Sequence, residues 1–380
     1  MNNDPMNRHA SSTNRRQFLQ KTTTGITAVA AIAQAPFFIN RAAADHHNES
    51  RLGFALVGLG GLATNQLAPA FAKTKHCRLS GVVSGTPAKI ERWQKQYHLP
   101  AKNCYAYDTY DQIADNPDID VIYIVLPNSM HAEYTIRAAQ LGKHVLCEKP
   151  MANSAADCEA MIAACEQADR KLAIGYRCQF EPHHHQCIRF AQEETFGSIK
   201  MIEAGFGFKI GNPNQWRLKK SYAGGGALMD VGIYAIQACR YLAGEEPIEI
   251  SATETKTDPV KFSEVDESIT WSMKFKNGLN AYCSTTYAFN GINRFTAYGN
   301  QGWFGLNPAY AYNGITGTTS KHDAISFPAI DQFAAEMDDF ALCIKNNRRS
   351  RVSGEEGLRD LWAIEAIYDS IQNGNTIHLS

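Results

Sequence analysis

The sequence predicts an α/β chain in two parts, a doubly wound parallel sheet followed by an α+β domain with an open antiparallel sheet. Three observations predict it. A short apolar strand, Phe54–Val57, runs straight into the glycine-rich turn Gly58-Leu59-Gly60-Gly61-Leu62-Ala63. A nearly continuous apolar segment, Ile119–Leu126, reads as a strand buried on both faces, as parallel sheets require. Beyond about Gly175 the apolar runs give way to alternation, and Asn277-Gly278 supplies a two-residue hairpin turn.

Length agrees with that division, because 380 residues are many for one compact core and natural for two. A net charge of -1 at pH 7 argues against a nucleic-acid partner or an acidic membrane surface. The ten cysteines show no CxxC spacing and several fall in apolar stretches. They read as free thiols of the core, since a disulfide framework belongs to small domains with weak cores.

The first segment is an address. Asn14-Arg15-Arg16-Gln17-Phe18-Leu19 places an arginine pair before two large apolar residues. An apolar run from Gly25 to about Phe38 follows, and then Ala42-Ala43-Ala44. Charged head, apolar middle and small-residue end make a secretory signal, and the paired arginines make it a twin-arginine one. Cleavage is expected after Ala44, so 1–44 would be the signal, with Ala33 or Ala35 as the alternative site. The partners and place implied are the twin-arginine export machinery and the periplasm. An uncleaved anchor is the competing reading, against which the apolar run is short for a bilayer.

The strand, the turn and the helical pattern Thr64–Ala72 together form G-x-G-x-x-A between strand and helix, the context a Rossmann dinucleotide site needs. Gly58 permits the tight turn, Gly60 lets the backbone approach a pyrophosphate, and the helix N-terminus faces its charge. The second strand, Arg78–Val83, ends at Ser84-Gly85-Thr86 without the acid that bonds the ribose 2′-OH of NAD. A hydroxyl at Ser84 and a cation at Lys89 suit a 2′-phosphate, so the expected cofactor is NADP; a solvated helix lysine is the plainer reading of Lys89. After Ile119–Leu126 comes the loop Pro127–His131, where Leu126 and Asn128 are expected at the cofactor. His131 either touches the cofactor or caps the next helix. Helix Ala132–Leu141, strand His144–Cys147 and the tripeptide Glu148-Lys149-Pro150 complete the sheet, and the domain is bounded at 51–175.

The second domain, 176–380, is expected to hold strands Lys200–Phe208, Ile248–Lys256, Ser268–Lys276, Leu279–Tyr287 and Arg294–Tyr298. Two amphipathic helices, Gln332–Lys345 and Glu355–Gln372, close it. Tyr282, Tyr287, Trp271 and Trp303 read either as core of this sheet or as part of an interface on its open face. His183-His184-His185 does not read as a metal site, because adjacent helical side chains point apart. Asp230 and Tyr234, four apart in a helical stretch after Gly224-Gly225-Gly226, share one face. A tyrosine becomes a general acid/base when a nearby lysine lowers its pKa.

These residues carry a resemblance. Glu148-Lys149-Pro150, Gly175–Cys178, Gln215-Trp216-Arg217, Gly224–Tyr234 and Tyr241–Ile248 are similar to stretches of the Gfo/Idh/MocA oxidoreductase family. The match runs from Arg51 to about Ile371. It implies an enzyme acting on sugar CH–OH groups, with Lys149 and Asp230 as substrate binders and Tyr234 as proton donor and acceptor. It also implies cofactor contacts by Glu148, Lys149, Arg177, Trp216 and Arg217, and a homo-oligomer through the open sheet. Within the family the likeness is strongest to the glucose–fructose oxidoreductase branch, which oxidises an aldose to its lactone and returns the hydride to a second sugar. That branch has a long proline-rich arm after its signal, whereas only Asp45–Ser50 follows the expected cut here. An exported NAD(P)-dependent glycosidase and a non-catalytic sugar or nucleotide sensor are the competing functions. Ser84 and Lys89 oppose the first, and the presence of Lys149, Asp230 and Tyr234 opposes the second.

Overall fold

A computed structural model describes residues 51–379 of the chain. The expected twin-arginine signal and its expected cleavage site lie outside the described residues. The first sheet contains β1 (Leu52–Val57), β2 (Cys77–Val83), β3 (Cys104–Tyr105), β4 (Val121–Ile124), β5 (His144–Glu148) and β6 (Leu172–Gly175). Its order is β3-β2-β1-β4-β5-β6, parallel throughout, with the reversal of winding beside β1. β1 and β4 are buried along almost their whole length, which is why they read as apolar runs. Val57 pairs with both Val83 and Ile124, so the loops after β1, β2 and β4 open on one edge.

The second sheet contains β7 (Ile199–Gly207), β8 (Pro247–Thr255), β9 (Ser268–Phe275), β10 (Asn280–Thr286), β11 (Ile292–Gly299), β12 (Gly302–Leu306), β13 (Gly317–Thr319), β14 (Ala324–Ile325) and β15 (Ile377–His378). Its order is β14-β13-β12-β11-β7-β10-β9-β8-β15. Alternation of buried and half-buried residues along β9 shows one covered face and one open face. The sheet is not purely antiparallel as expected: β7 and β10 pair in parallel. The chain reaches β10 through the β8–β9 hairpin, so β10 returns beside β7 in the same direction. β12 to β15 are additional strands, too short or too rich in glycine and threonine for alternation to mark them.

The two C-terminal helices part company. Helix Gln332–Lys345 packs on the first, where Asp338 accepts the backbone N–H groups of Lys75 and His76 at 2.7–3.0 Å. Helix Gly354–Asn373 lies between helix Ala155–Gln167 and β8. Their apolar stripes join the main core, which is continuous across both sheets. A smaller cluster of Ile210, Leu218, Ala227, Val231, Phe262, Val265 and Tyr287 lies apart from it, next to the site described below.

Candidate active site

Three loops from the C-terminal edge of the first sheet build one wall. After β1, Gly58 takes φ +99°, and a Cβ there would meet the Val125 carbonyl oxygen at 2.4 Å. Only glycine fits such a turn. At Gly60 a Cβ would meet nothing within 4 Å, so the backbone lies bare over open space. The helical run begins at Gly61 and winds into a π-helical turn at Ala63–Leu67, with its first N–H groups free of intrahelical partners. Leu59 is buried beneath the loop and Leu62 half-buried beside it. A bare glycine turn at a helix N-terminus fits a dinucleotide pyrophosphate.

Ser84 ends β2, buried, with its Oγ accepting the Thr86 N–H at 3.2 Å and its own hydroxyl proton left for another acceptor. Lys89 sits in the first turn of helix Pro87–Tyr97, half-buried and without an ion-pair partner among the described residues. In the third loop Leu126 is buried, and Asn128 donates to the Ala223 carbonyl at 2.9 Å. Asn128 therefore ties this loop to the second domain. His131 is buried, and its ring makes no cap to the helix that follows. Its Nδ1 lies 2.9 Å from the Pro150 carbonyl and its Nε2 2.9 Å from the Leu126 carbonyl, and the one N–H of the neutral ring donates to one of them. Burial pushes its pKa down, while the two carbonyls pull it up.

Lys149 emerges from the end of β5 and meets the other wall. Its Nζ donates to the Asp230 carbonyl at 2.6 Å and lies 3.3 Å from Asp230 Oδ1. Asp230 Oδ2 accepts from Arg217 Nε at 3.1 Å and from the Tyr287 hydroxyl at 2.8 Å. Burial alone would raise the Asp230 pKa, but Lys149 and Arg217 outweigh it and hold the carboxyl at about 2. Asp230 is a fixed anion at any working pH. It sits in a π-helical turn, Leu228–Gly232, that feeds helix Ile233–Ala243 and Tyr234. A Cβ at Gly226 would come within 2.0 Å of the Asp266 carbonyl oxygen, so the turn needs that glycine. The Asp266 carboxylate accepts the Gly226 and Leu228 N–H groups at 2.6 and 2.8 Å, which caps the start of the run.

Tyr234 lies 5.1 Å from Lys149 Nζ and 5.0 Å from Arg177 Cζ, measured to its ring centroid. Burial pushes its hydroxyl above the usual phenol range, and Arg177 pulls it only part of the way back. The expected lowering by a nearby lysine is not what the fold builds, because burial of the phenol outweighs the cations beside its ring. Tyr234 is a neutral phenol at rest. Arg177 is 3% exposed, with its guanidinium on Gln332 and on the Tyr310 carbonyl at 2.6 Å each, so it stands behind Tyr234 as support. Arg217 likewise faces Asp230, and its Cζ lies 4.6 Å from the half-buried Trp216 ring. Glu148 turns away from the edge into the interior, where the Tyr123 hydroxyl donates to it at 2.7 Å.

Tyr287 and Asp266 are site residues that periodicity hid. Tyr287 follows β10 on what reads as a sheet face, and nothing local marks its hydroxyl as bound for Asp230. The three adjacent histidines separate as helical geometry requires: His183 pairs with Glu181, His184 with the Ala309 carbonyl and His185 with the Gln179 carbonyl.

A dinucleotide sheet whose reactive edge carries lysine, a fixed aspartate and a neutral tyrosine defines a nicotinamide-dependent oxidoreductase. Residues 52–176 match the family profile described as "Oxidoreductase family, NAD-binding Rossmann fold", and 184–305 match the "GFO/IDH/MocA C-terminal domain". The chain belongs to the Gfo/Idh/MocA oxidoreductase family. Among solved structures it is similar to aldose-aldose oxidoreductase from Caulobacter crescentus, solved with glycerol, at 43% identity and TM-score 0.84, covering 87% of this chain and 100% of that one. It is 28% identical to D-xylose 1-dehydrogenase [NADP(+)] of Haloarcula marismortui over 86% of this chain and 92% of that protein. A levoglucosan dehydrogenase solved with NADH and levoglucosan shares the fold at 21% identity and TM-score 0.76, over 87% of this chain and 100% of that one.

Proposed function

We propose that this NAD(P)-dependent oxidoreductase acts on sugars, oxidising an aldose at C1 to its lactone and returning the hydride to a second sugar. The observation that carries the reading is the Lys149–Asp230–Tyr234 cluster at the sheet edge. NADP is the cofactor proposed, held by the Gly58–Leu62 loop, with Ser84 and Lys89 at the 2′-phosphate. When bound, its nicotinamide supplies the hydride acceptor and donor. Lys149, a cation with donors to spare, holds the reacting sugar hydroxyl and favours its oxyanion. Asp230 fixes the lysine by two contacts and accepts a neighbouring sugar hydroxyl. Tyr234, neutral at rest, gives its proton to the carbonyl being reduced and takes it back from the hydroxyl being oxidised. Arg177 and the carbonyls that hold it keep the Tyr234 ring in place.

The likeness to the Caulobacter aldose-aldose enzyme supports a sugar at both half-reactions, and the twin-arginine head supports a periplasmic site of action. The test is a panel of single aldoses and aldose–ketose pairs, incubated with purified protein and no added nucleotide. Lactone and alditol should accumulate together in equal amounts. Hydrolysis of a glycoside without net oxidation, or no product from any sugar, sinks the reading.

A further inference from the structure

Behind the reactive edge lies a buried cluster that the proposed chemistry leaves unused. Glu148 precedes Lys149 in β5, and its carboxyl turns inward so closely that a Cβ on Gly175 would meet it at 3.1 Å. Glu336, on helix Gln332–Lys345, reaches the same place from the other side. Tyr123, in β4, stands between them, its hydroxyl 2.7 Å from Glu148 Oε1 and 3.2 Å from Glu336 Oε2. The two glutamates are 7% and 1% exposed.

A tyrosine hydroxyl has one proton to give. It satisfies one carboxylate, and the second short contact needs a proton from the carboxyl itself. Glu336 Oε1 also has no hydrogen-bond partner among the described residues. A bare, buried carboxylate oxygen costs far more than the carbonyl oxygen of a neutral acid. The shorter contact marks Glu148 as the acceptor from Tyr123, which leaves Glu336 as the acid.

Glu336 faces Tyr123 from β4, Glu148 from β5, and Arg177 and Cys178 from the turn after β6; Glu148 also faces Lys149. Burial, with the Glu148 charge beside it, pushes the Glu336 carboxyl well above the usual range. Arg177 makes no hydrogen bond to a carboxylate among the described residues, its Nε has no partner, and its guanidinium lies against the Tyr234 ring. The charge of the glutamate pair bears on Arg177, and that of Glu148 also raises the Tyr234 pKa directly.

We infer that Glu336 is a positioning residue for the sugar reaction: it holds a proton in the chain Glu336–Tyr123–Glu148, so that the two buried carboxyls present one negative charge, not two, to Arg177 and Tyr234. The inference rests on the proposed reaction only for its kinetic consequence. As pH rises and Glu336 ionises, the second negative charge offsets Arg177, hardens the Tyr234 phenol against deprotonation and holds back oxidation.

Infrared spectra of the intact protein in light and heavy water test the proton directly. At neutral pH the wild type should show the carbonyl stretch of a buried, protonated carboxylic acid, and Glu336→Gln should lose it. The same variant should raise the ratio of alkaline to neutral turnover severalfold over wild type, since no second charge builds up. A purely structural glutamate would change the thermal midpoint and scale the whole pH profile without reshaping it. Identical infrared bands in the two proteins, or superimposable profiles after scaling, overturn the inference. The infrared readout needs no substrate, so a missing band counts against this inference alone, and failure of every sugar counts against the reaction alone.

Discussion

A phenol buried beside two cations is pulled both ways, and at Tyr234 burial outweighs Arg177. Two consequences follow for kinetics. Sugar oxidation should quicken as pH rises, because the phenol gives up its proton reluctantly. Tyr234→Phe should fold, keep its cofactor, lose roughly 10²–10⁴ in turnover and lose that slope, the usual contribution of a positioned acid/base group. Rates near wild type from this variant remove Tyr234 from the chemistry. Asp230 behaves oppositely. Its folded pKa of about 2 lies below the ordinary 3.8, so its contribution to stability is full above 3.8 and fades as pH falls through about 2. No acid limb of the turnover profile in the ordinary carboxylate range should therefore belong to Asp230. If Asp230→Asn abolishes such a limb while keeping neutral-pH turnover, that assignment fails. Lys149, Asp230 and Tyr234 were legible in the sequence because spacing and resemblance converge on them, and the fold brings them together. The direction of the tyrosine's pKa was not legible, since it depends on how deeply the fold buries the phenol.

At the scale of the element, the π-helical turn Leu228–Gly232 is the part that aims Asp230, and Asp266 is its anchor. The carboxylate also accepts the Tyr368 hydroxyl at 2.7 Å, which links the turn to helix Gly354–Asn373. Asp266→Ala leaves buried N–H groups without acceptors, each costing roughly 1–3 kcal/mol. The variant should melt several degrees lower and lose turnover together, because Asp230 moves with its turn. An unchanged thermal midpoint would falsify the anchoring role. Asp266 was invisible to periodicity because it caps an element forty residues earlier in the chain. The apolar strands β1, β2, β4 and β5, the glycine turn and both C-terminal helices were legible from local pattern, whereas β3, of two residues, and β6, of four, did not mark themselves. The parallel pairing of β7 with β10 was not, because strand direction is set by the path of the connection and not by side-chain pattern. The packing of helix Gln332–Lys345 on the first sheet was missed for the same reason, although Glu336 inside its apolar stripe was a visible anomaly.

At the scale of the whole molecule, the glycine loop and the proposed export signal would together constrain how the enzyme turns over. The bare turn at Gly60 fits a dinucleotide, and the twin-arginine head proposes a working place where free nucleotide is scarce. A dehydrogenase releasing reduced cofactor there would stop after one turnover. The cofactor must then stay bound, be loaded before export, and be restored in the same site by a second sugar. Purified protein should accordingly carry NADP(H) in near-stoichiometric amount through gel filtration, identified by chromatography after denaturation. Lys89→Ala should weaken retention of NADP far more than binding of NAD, because the proposed partner of Lys89 exists only in NADP. Initial rates should follow ping-pong kinetics, and an acceptor sugar should bleach the bound reduced cofactor in one turnover. In this proposal the cofactor is retained by the Gly58–Leu62 loop, Ser84 and Lys89. Protein that elutes without nucleotide and needs a continuous supply of NADP⁺ would show that these contacts do not suffice, and the closed cycle would fall with them.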